Sequence, residues 1–382
     1  MITPKQLNLF SSPVAEMYQA LELEILTQMA KRLKVKGEAD FTEWQLKKAN
    51  ELHLINRDLA PYLSEFSGIA EKEIANYVKT AGYGLIEDTD EYFMQHGYVK
   101  ASLDNNIDRV LESYSNQMFR ELDNHVNQTL ITTNYGYSPM QQKYQQLVGE
   151  VQAKYSTGLV TLDNAVKMTV VAWAKEGIKS TFIDKGGHTW SLERYAETVL
   201  RSTNARIYND IRTNRMSDYD CTTVRMSQKA NARPECAHIQ GRVIDISRDR
   251  LNPDYPNVYD YGYGTPGGTR GVNCGHWWTP FIVGVNIDRE PLYTPESAIE
   301  NSKIEAGRRL LARRIRKTKK MVAVTEALDA EGQDYYKDQL KRQQARMREY
   351  VEQHGLTRIY RFEKVYTPLD TLMKEFKEQA ND

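Results

Sequence analysis

Ala232-Arg233-Pro234-Glu235-Cys236-Ala237-His238-Ile239-Gln240-Gly241, answered by Gly271-Val272-Asn273-Cys274-Gly275-His276-Trp277-Trp278-Thr279-Pro280-Phe281, is the pair of segments that decides how the chain folds. Each segment holds a Cys-x-His pair, Cys236 with His238 and Cys274 with His276. In an extended strand, residues two apart share a face, so each pair presents a thiol and an imidazole together. Four such donors make the Cys2His2 set that tetrahedral zinc accepts, and zinc is the candidate cofactor. One residue inside each pair is fewer than zinc ribbons usually have, and the linker between the pairs is long and rich in glycine. A structural reading therefore stands beside the metal one: Cys236 and Cys274 as small buried residues, the histidines bonded to backbone carbonyls in a module with a weak core. An enzyme built on the same pairs, a thiol hydrolase or metal-dependent nuclease, lacks a recognisable orienting partner and oxyanion donor, so no catalytic residue is assigned.

Outward from these segments, 222–227 and 242–246 alternate in the manner of half-buried strands, and 252–275 is dense in Gly, Pro, Asn and Tyr. The loop at 262–268 lacks the Gly-Lys-Ser/Thr ending of a phosphate cradle, and Pro266 removes a donor, so it is expected to be a conformationally demanding loop. Tyr255, Tyr259, Tyr261 and Tyr263 suit either packing over a loop-rich core or a protein interface. The texture changes near Ser217, and residues 191–290 form one expected unit, a small mixed α+β domain.

Residues 1–190 form an expected helical N-terminal region. Met17, Leu21, Ile25 and Met29 recur at helical spacing, as do Val199, Ile207 and Ile211 further on. Breaks are expected where Pro61 starts a new helix, at Gly82 and Gly84, and at turns over 136–139 and 186–187, with Ser191 capping the helix that follows. Residues 291–382 are expected to form a basic helical hairpin and tail. Ile304, Leu311, Ile315, Thr318 and Val322 trace a coiled-coil-like seam, and Tyr336, Leu340, Met347 and Val351 mark a second helix after a turn at 330–332. Gly355 ends it, 358–362 is β-prone, and 369–376 is amphipathic. The expected class is α+β, predominantly α-helical.

The 382 residues carry 51 basic and 51 acidic side chains, which argues against a surface devoted wholly to nucleic acid or membrane. Charge is concentrated locally instead. From Lys303 to Lys320 the residues Arg308, Arg309, Arg313, Arg314, Arg316, Lys317, Lys319 and Lys320 crowd one helical stretch, with Glu305 the only acid in it. Such a helix can hold double-stranded DNA through its phosphates, or serve as the solvated or partner-facing side of a coiled coil. The first 26 residues lack a basic segment followed by an apolar run, so no signal peptide is expected. No stretch approaches the roughly 18 to 20 apolar residues that span a bilayer, and no membrane partner is expected. Three cysteines, Cys221, Cys236 and Cys274, are too few for a disulfide framework and fit a reducing compartment.

The order Ala-Arg-Pro-x-Cys-Ala-x-x-Gln-Gly, then Gly-Tyr-Gly, then Gly-x-Asn-Cys-x-His-x-x-x-Pro-Phe followed by Gly284, resembles the phage minor capsid protein 2 family, related to the Mu-F-type head morphogenesis proteins. Leu200-Arg201-Ser202-Thr203 is similar to the Arg-Thr segment of the helix that precedes that motif. The resemblance covers roughly 190–285 closely. It implies motif positions at Arg201, Arg233, Cys236, Gln240, Gly241, Asn273, Cys274, His276 and Pro280, in structural roles. It also implies a non-enzymatic virion component at the capsid interior or portal vertex, assembled in the host cytoplasm. Its implied partners are the portal protein and the major capsid protein, with a part in DNA packaging or ejection.

Overall fold

A computed structural model describes residues 12–38, 40–103, 106–130, 139–183, 189–265, 267–271, 274–329, 333–365 and 369–379. The chain is mostly helical. Helices α1 (Ser12–Leu33), α2 (Phe41–Gln95), α3 (Ile107–Leu130), α4 (Pro139–Tyr155) and α5 (Leu162–Glu176) lead to a β-hairpin of β1 (Lys179–Ile183) and β2 (Thr189–Ser191). Then come α6 (Leu192–Ser217), β3 (Thr223–Met226), the single turn α7 (Pro234–Ala237), β4 (Val243–Asp245) and β5 (Trp278–Pro280). Helices α8 (Pro295–Ala327), α9 (Gln333–Gln353) and α10 (Leu369–Gln379) complete the order. The α+β class expected from the sequence is the one observed.

Three expectations need correction. Helix α2 runs unbroken through Pro61, Gly82 and Gly84 for 55 residues. Pro61 removes one backbone hydrogen bond without ending so long a helix. Gly82 is there for contact: a Cβ at that position would overlap the Leu111 side chain of α3, so its missing side chain is what lets the two helices approach. The helical pattern is also interrupted by β1 and β2, in which Lys179 pairs with Ser191 and Ile183 with Thr189. Helix α6 starts directly after Ser191. Finally, Tyr360–Glu363 is a 3-10 turn rather than a strand, because Arg358 reaches forward to both oxygens of Glu363, at 2.7 and 2.5 Å, and folds the segment onto itself. The expected turns at 136–138, 186–187 and 330–332 lie outside the described residues.

The chain divides into two compact units, each built from separated segments. One gathers Glu71–Arg120 and Glu197–Gly307; the other gathers Ala15–Ala70, Glu121–Ala196 and Arg308–Asp382. In the second unit, Tyr18 of α1 meets Phe66 of α2 edge to face at 5.0 Å. Gln141 of α4 donates to the Leu52 carbonyl at 3.0 Å, and Lys320 of α8 pairs with the buried Glu22 of α1 at 3.5 Å. Helices α8 and α9 pack along the expected seam, with Leu311, Ala312 and Ile315 against Met347 and, at the margin, Leu340, Tyr350 and Val351.

The first unit contains the sheet, ordered β4-β3-β5 and antiparallel throughout. Thr223, Val224 and Arg225 face Asp245, Ile244 and Val243, while Val224, Arg225 and Met226 face Pro280, Thr279 and Trp278. Pro280 sits on an edge strand, where a missing N–H is tolerated. Three short strands bury little by themselves. Their inner side joins Val224, Met226, Ile244, Val258, Trp278 and Ile282 to Phe93 of α2 and Met216 of α6, forming one core.

Helix α6 is tied to α2 by polar groups. Arg215 donates to both oxygens of Asp90, from Nε at 2.5 Å and Nη2 at 2.9 Å, and also to the carbonyls of Ala101 and Ser102 and to Asp218. The Tyr219 hydroxyl donates to Asp90 at 2.8 Å, and its ring stacks on Phe93 at 4.2 Å. One turn earlier Arg212 pairs with Asp88 and reaches the Trp278 carbonyl at 3.5 Å, while Tyr77 donates to Asn204 at 2.6 Å. Asp90 and Arg215 are both buried, so removing one partner strands the other's charge. Asp90→Ala is expected to destabilise the protein by about 3–5 kcal/mol, measured by chemical denaturation.

Candidate functional site

Three of the four expected donors converge. Cys236 lies on α7, which Pro234 opens at a position where a helix needs no N–H. Cys274 and His276 lie on the extended segment that runs into β5. That segment is fixed to the end of β3 by Ser227 N–H donating to the Trp277 carbonyl at 2.8 Å and by Trp277 N–H donating to Ser227 Oγ at 3.0 Å. The Cys236 and Cys274 sulfurs stand 3.6 Å apart, and Cys274 Sγ is 3.5 Å from His276 Nδ1. All three donor atoms lie within 4.8 Å of one another. The cysteines are free thiols, exposed by 0% and 5%, and His276 by 3%, so no bulk reactant reaches them.

His238 is not part of this group. Position 236 belongs to a helical turn rather than a strand, so two residues rotate the side-chain direction by about 200°. His238 therefore points outward and is exposed.

Gln240 settles the protonation of His276. Its Oε1 accepts the Lys229 backbone N–H at 2.9 Å, which identifies that atom as the oxygen, and the same atom lies 3.0 Å from His276 Nε2. Nε2 must then carry the proton, which leaves the Nδ1 lone pair facing the sulfurs. Burial lowers the imidazole's proton affinity, in keeping with the neutral ring. The two sulfurs titrate as a pair. Their mutual hydrogen bond, followed by the effects of His276 and Arg270, drives Cys274 toward the thiolate, while the same bond and burial push Cys236 up.

Arg270 supplies the charge on this side of the core. It is buried, in left-handed backbone conformation at φ 65°, with its guanidinium 5.1 Å over the Trp278 ring. None of its three side-chain nitrogens finds a hydrogen-bond partner among the described residues. Burial depresses its proton affinity, and Cys274, Tyr208, Tyr263 and Cys236 oppose that.

The remaining motif residues lock loops. Arg233 donates to the Gly268 carbonyl, and Thr269 Oγ1 donates to the Glu235 carbonyl at 2.8 Å, so the glycine-rich loop closes over α7. A Cβ on Gly268 would overlap the Gly262 carbonyl, which is why the loop needs glycine there. Gly241 takes φ 77°, and its N–H returns to the Met226 carbonyl of β3 at 3.0 Å. Tyr259, Tyr261 and Tyr263 pack against the core, with Tyr263 5.3 Å from Trp278, and Tyr255 meets Phe281 at 6.0 Å. Arg201 lies on α6 with its side chain outside the described ones, as is Asn273 altogether.

The basic residues of α8 divide by role. Arg308 is buried and donates to the Thr357 carbonyl at 2.6 Å, Lys319 donates to the Glu363 carbonyl at 2.8 Å, and Lys320 pairs with Glu22. Arg309 and Arg316 are also engaged. Arg313, Arg314 and Lys317 are exposed.

Four residues escaped the sequence reading: Asp88, Asp90, Arg212 and Arg215. A signal for two of them existed. Tyr208, Arg212, Arg215 and Tyr219 follow one another at spacings of four, three and four, which places two arginines between tyrosines on a stripe that runs along α6 and just past its end.

Buried ties between loops and helices, with the donor cluster sealed inside, define a structural module. Residues 2–352 match the family model described as phage minor capsid protein 2, and the chain belongs to that family. It is 36% identical over 284 residues to a structural protein of Lactococcus phage LL-H, covering 73% of this chain and 76% of the relative. A structural protein of Lactococcus phage mv4 is 38% identical over 118 residues, which cover 30% of this chain and 96% of that relative. No solved structure matches the chain. Among the described residues, no helix is long and apolar enough to cross a membrane.

Proposed function

We propose that this minor capsid protein is non-enzymatic, sits at the portal vertex on the inner side of the capsid, and docks there on the portal protein and the major capsid protein. The observation that carries the reading is membership of the minor capsid family across residues 2–352. The thiols and imidazole that an enzyme would use are sealed in the core, which favours a structural role for them.

The α8–α9 hairpin is the part proposed to touch packaged double-stranded DNA. Arg313, Arg314 and Lys317 on α8, with Arg342, Arg346 and Arg348 on α9, are exposed and form no ion pair with another described residue. Arg313 and Lys317, like Arg342 and Arg346, are four apart and so lie on one side of their helix. Cations placed this way bind phosphates without reading sequence, through release of condensed counterions. They are a smaller set than the eight that the α8 sequence suggests, because several of those bind protein carbonyls and carboxylates instead.

Two experiments test the proposal. Imaging of purified virions carrying a labelled copy of this chain is expected to place the label at one vertex, the portal; label spread over all vertices, or absent from particles, contradicts it. For DNA, the full chain is expected to bind random-sequence duplex with an affinity that falls steeply as salt rises. The triple variant Arg313→Glu, Arg314→Glu, Lys317→Glu is expected to lower the slope of log affinity against log salt by about 2–3. An unchanged slope in a variant with wild-type circular dichroism removes Arg313, Arg314 and Lys317 as the contact, and the same result with Arg342, Arg346 and Arg348 also changed to Glu removes the hairpin.

A further inference from the structure

We propose that Cys236, Cys274 and His276 hold a zinc ion that pins α7 to the strand entering β5. Two of the three separations match the ion's own geometry, and all three donor atoms lie within 4.8 Å of one another. Zinc about 2.3 Å from each of two thiolates and about 2.0 Å from an imidazole nitrogen, at tetrahedral angles, holds the sulfurs ~3.8 Å apart and sulfur and nitrogen ~3.5 Å apart. The observed separations are 3.6 Å between the sulfurs and 3.5 Å between Cys274 Sγ and His276 Nδ1. Soft sulfur with imidazole is the donor set that selects zinc over the hard cations.

The surroundings are those of a metal-bound histidine. A ligating imidazole usually donates its far N–H to a carbonyl or carboxylate, which fixes the tautomer and aims the other lone pair at the ion. Gln240 Oε1 takes that proton here, and the Lys229 N–H holds Gln240 in place to do so. The chain supplies three donors among its described residues.

The ion's role follows from what it joins. Cys236 and Cys274 are 38 residues apart, and the segment between them holds the glycine-rich loop. An ion that binds only where these two ends meet adds its binding free energy to the folded state, in a module whose sheet has only three short strands. His238 takes no part, because the helical turn of α7 points it to solvent.

The test is metal content of the full chain, purified from zinc-supplied cells and desalted, read by elemental mass spectrometry. Wild type and His238→Ala are expected to carry one zinc per chain, and Cys274→Ser and His276→Ala to have lost it. Gln240→Ala, a positioning change, is expected to bind zinc ~10–100-fold more weakly in competition with a chromophoric chelator. Since the ligand variants can fail to fold, two measurements use the wild type alone. Cobalt in place of zinc is expected to give thiolate charge-transfer bands together with the visible bands of a tetrahedral ion, and chelator is expected to lower the melting temperature, with added zinc restoring it. A wild-type chain free of metal whose melting ignores both zinc and chelator overturns the proposal. So does recovery of Cys236 and Cys274 as a metal-free disulfide, or zinc that survives His276→Ala and is lost with His238→Ala.

Discussion

The pairing of Arg215 with Asp90 is the contact on which the first unit depends. A three-stranded sheet with short strands cannot bury enough apolar surface to hold itself, so its core must be completed by helices. Phe93 and Met216 complete it, and both are presented at the correct depth because α2 and α6 are fixed side by side. The carboxylate of Asp90 does the fixing. It receives two nitrogens of Arg215 and the Tyr219 hydroxyl, and Arg215 in turn satisfies the carbonyls of Ala101 and Ser102. Hydrophobic packing gives the unit most of its stability, and the buried charges select one alignment of the helices over others of similar burial.

Much of this architecture was legible from periodicity. The strands at 223–226 and 243–245, the α8–α9 seam through Leu311 and Ile315, and the end of α9 before Gly355 were all visible as patterns of two or of three and four. The failures have a common origin. Gly82 resembles a helix breaker until Leu111 is seen filling the space it leaves, and the two are 29 positions apart in sequence (111 − 82). Asp90 and Arg215 are unremarkable surface residues by type, and only their shared burial makes them matter.

The site was half legible, for a related reason. Residue types suggest a four-donor cluster, provided that both pairs are extended. Pro234 changes that for the first pair, since it starts a helical turn and sends His238 away from Cys236. Gln240 was visible only as a motif position. Its work, holding the His276 tautomer through the Lys229 N–H, depends on a contact across 36 residues that no local pattern encodes. The basic helix shows the same limit: composition counted eight cations, while Arg308, Lys319 and Lys320 are spent on internal carbonyls and a buried carboxylate.

If the sheet module and its two supporting helices share one set of buried contacts, they must open together. Native-state hydrogen exchange of the full chain measures this directly, amide by amide. The account predicts one common opening free energy for the β3 amides between Thr223 and Met226 and for the α6 amides around Arg212 and Arg215. Exchange of the β3 amides through a much cheaper local opening, with α6 still protected, would contradict it.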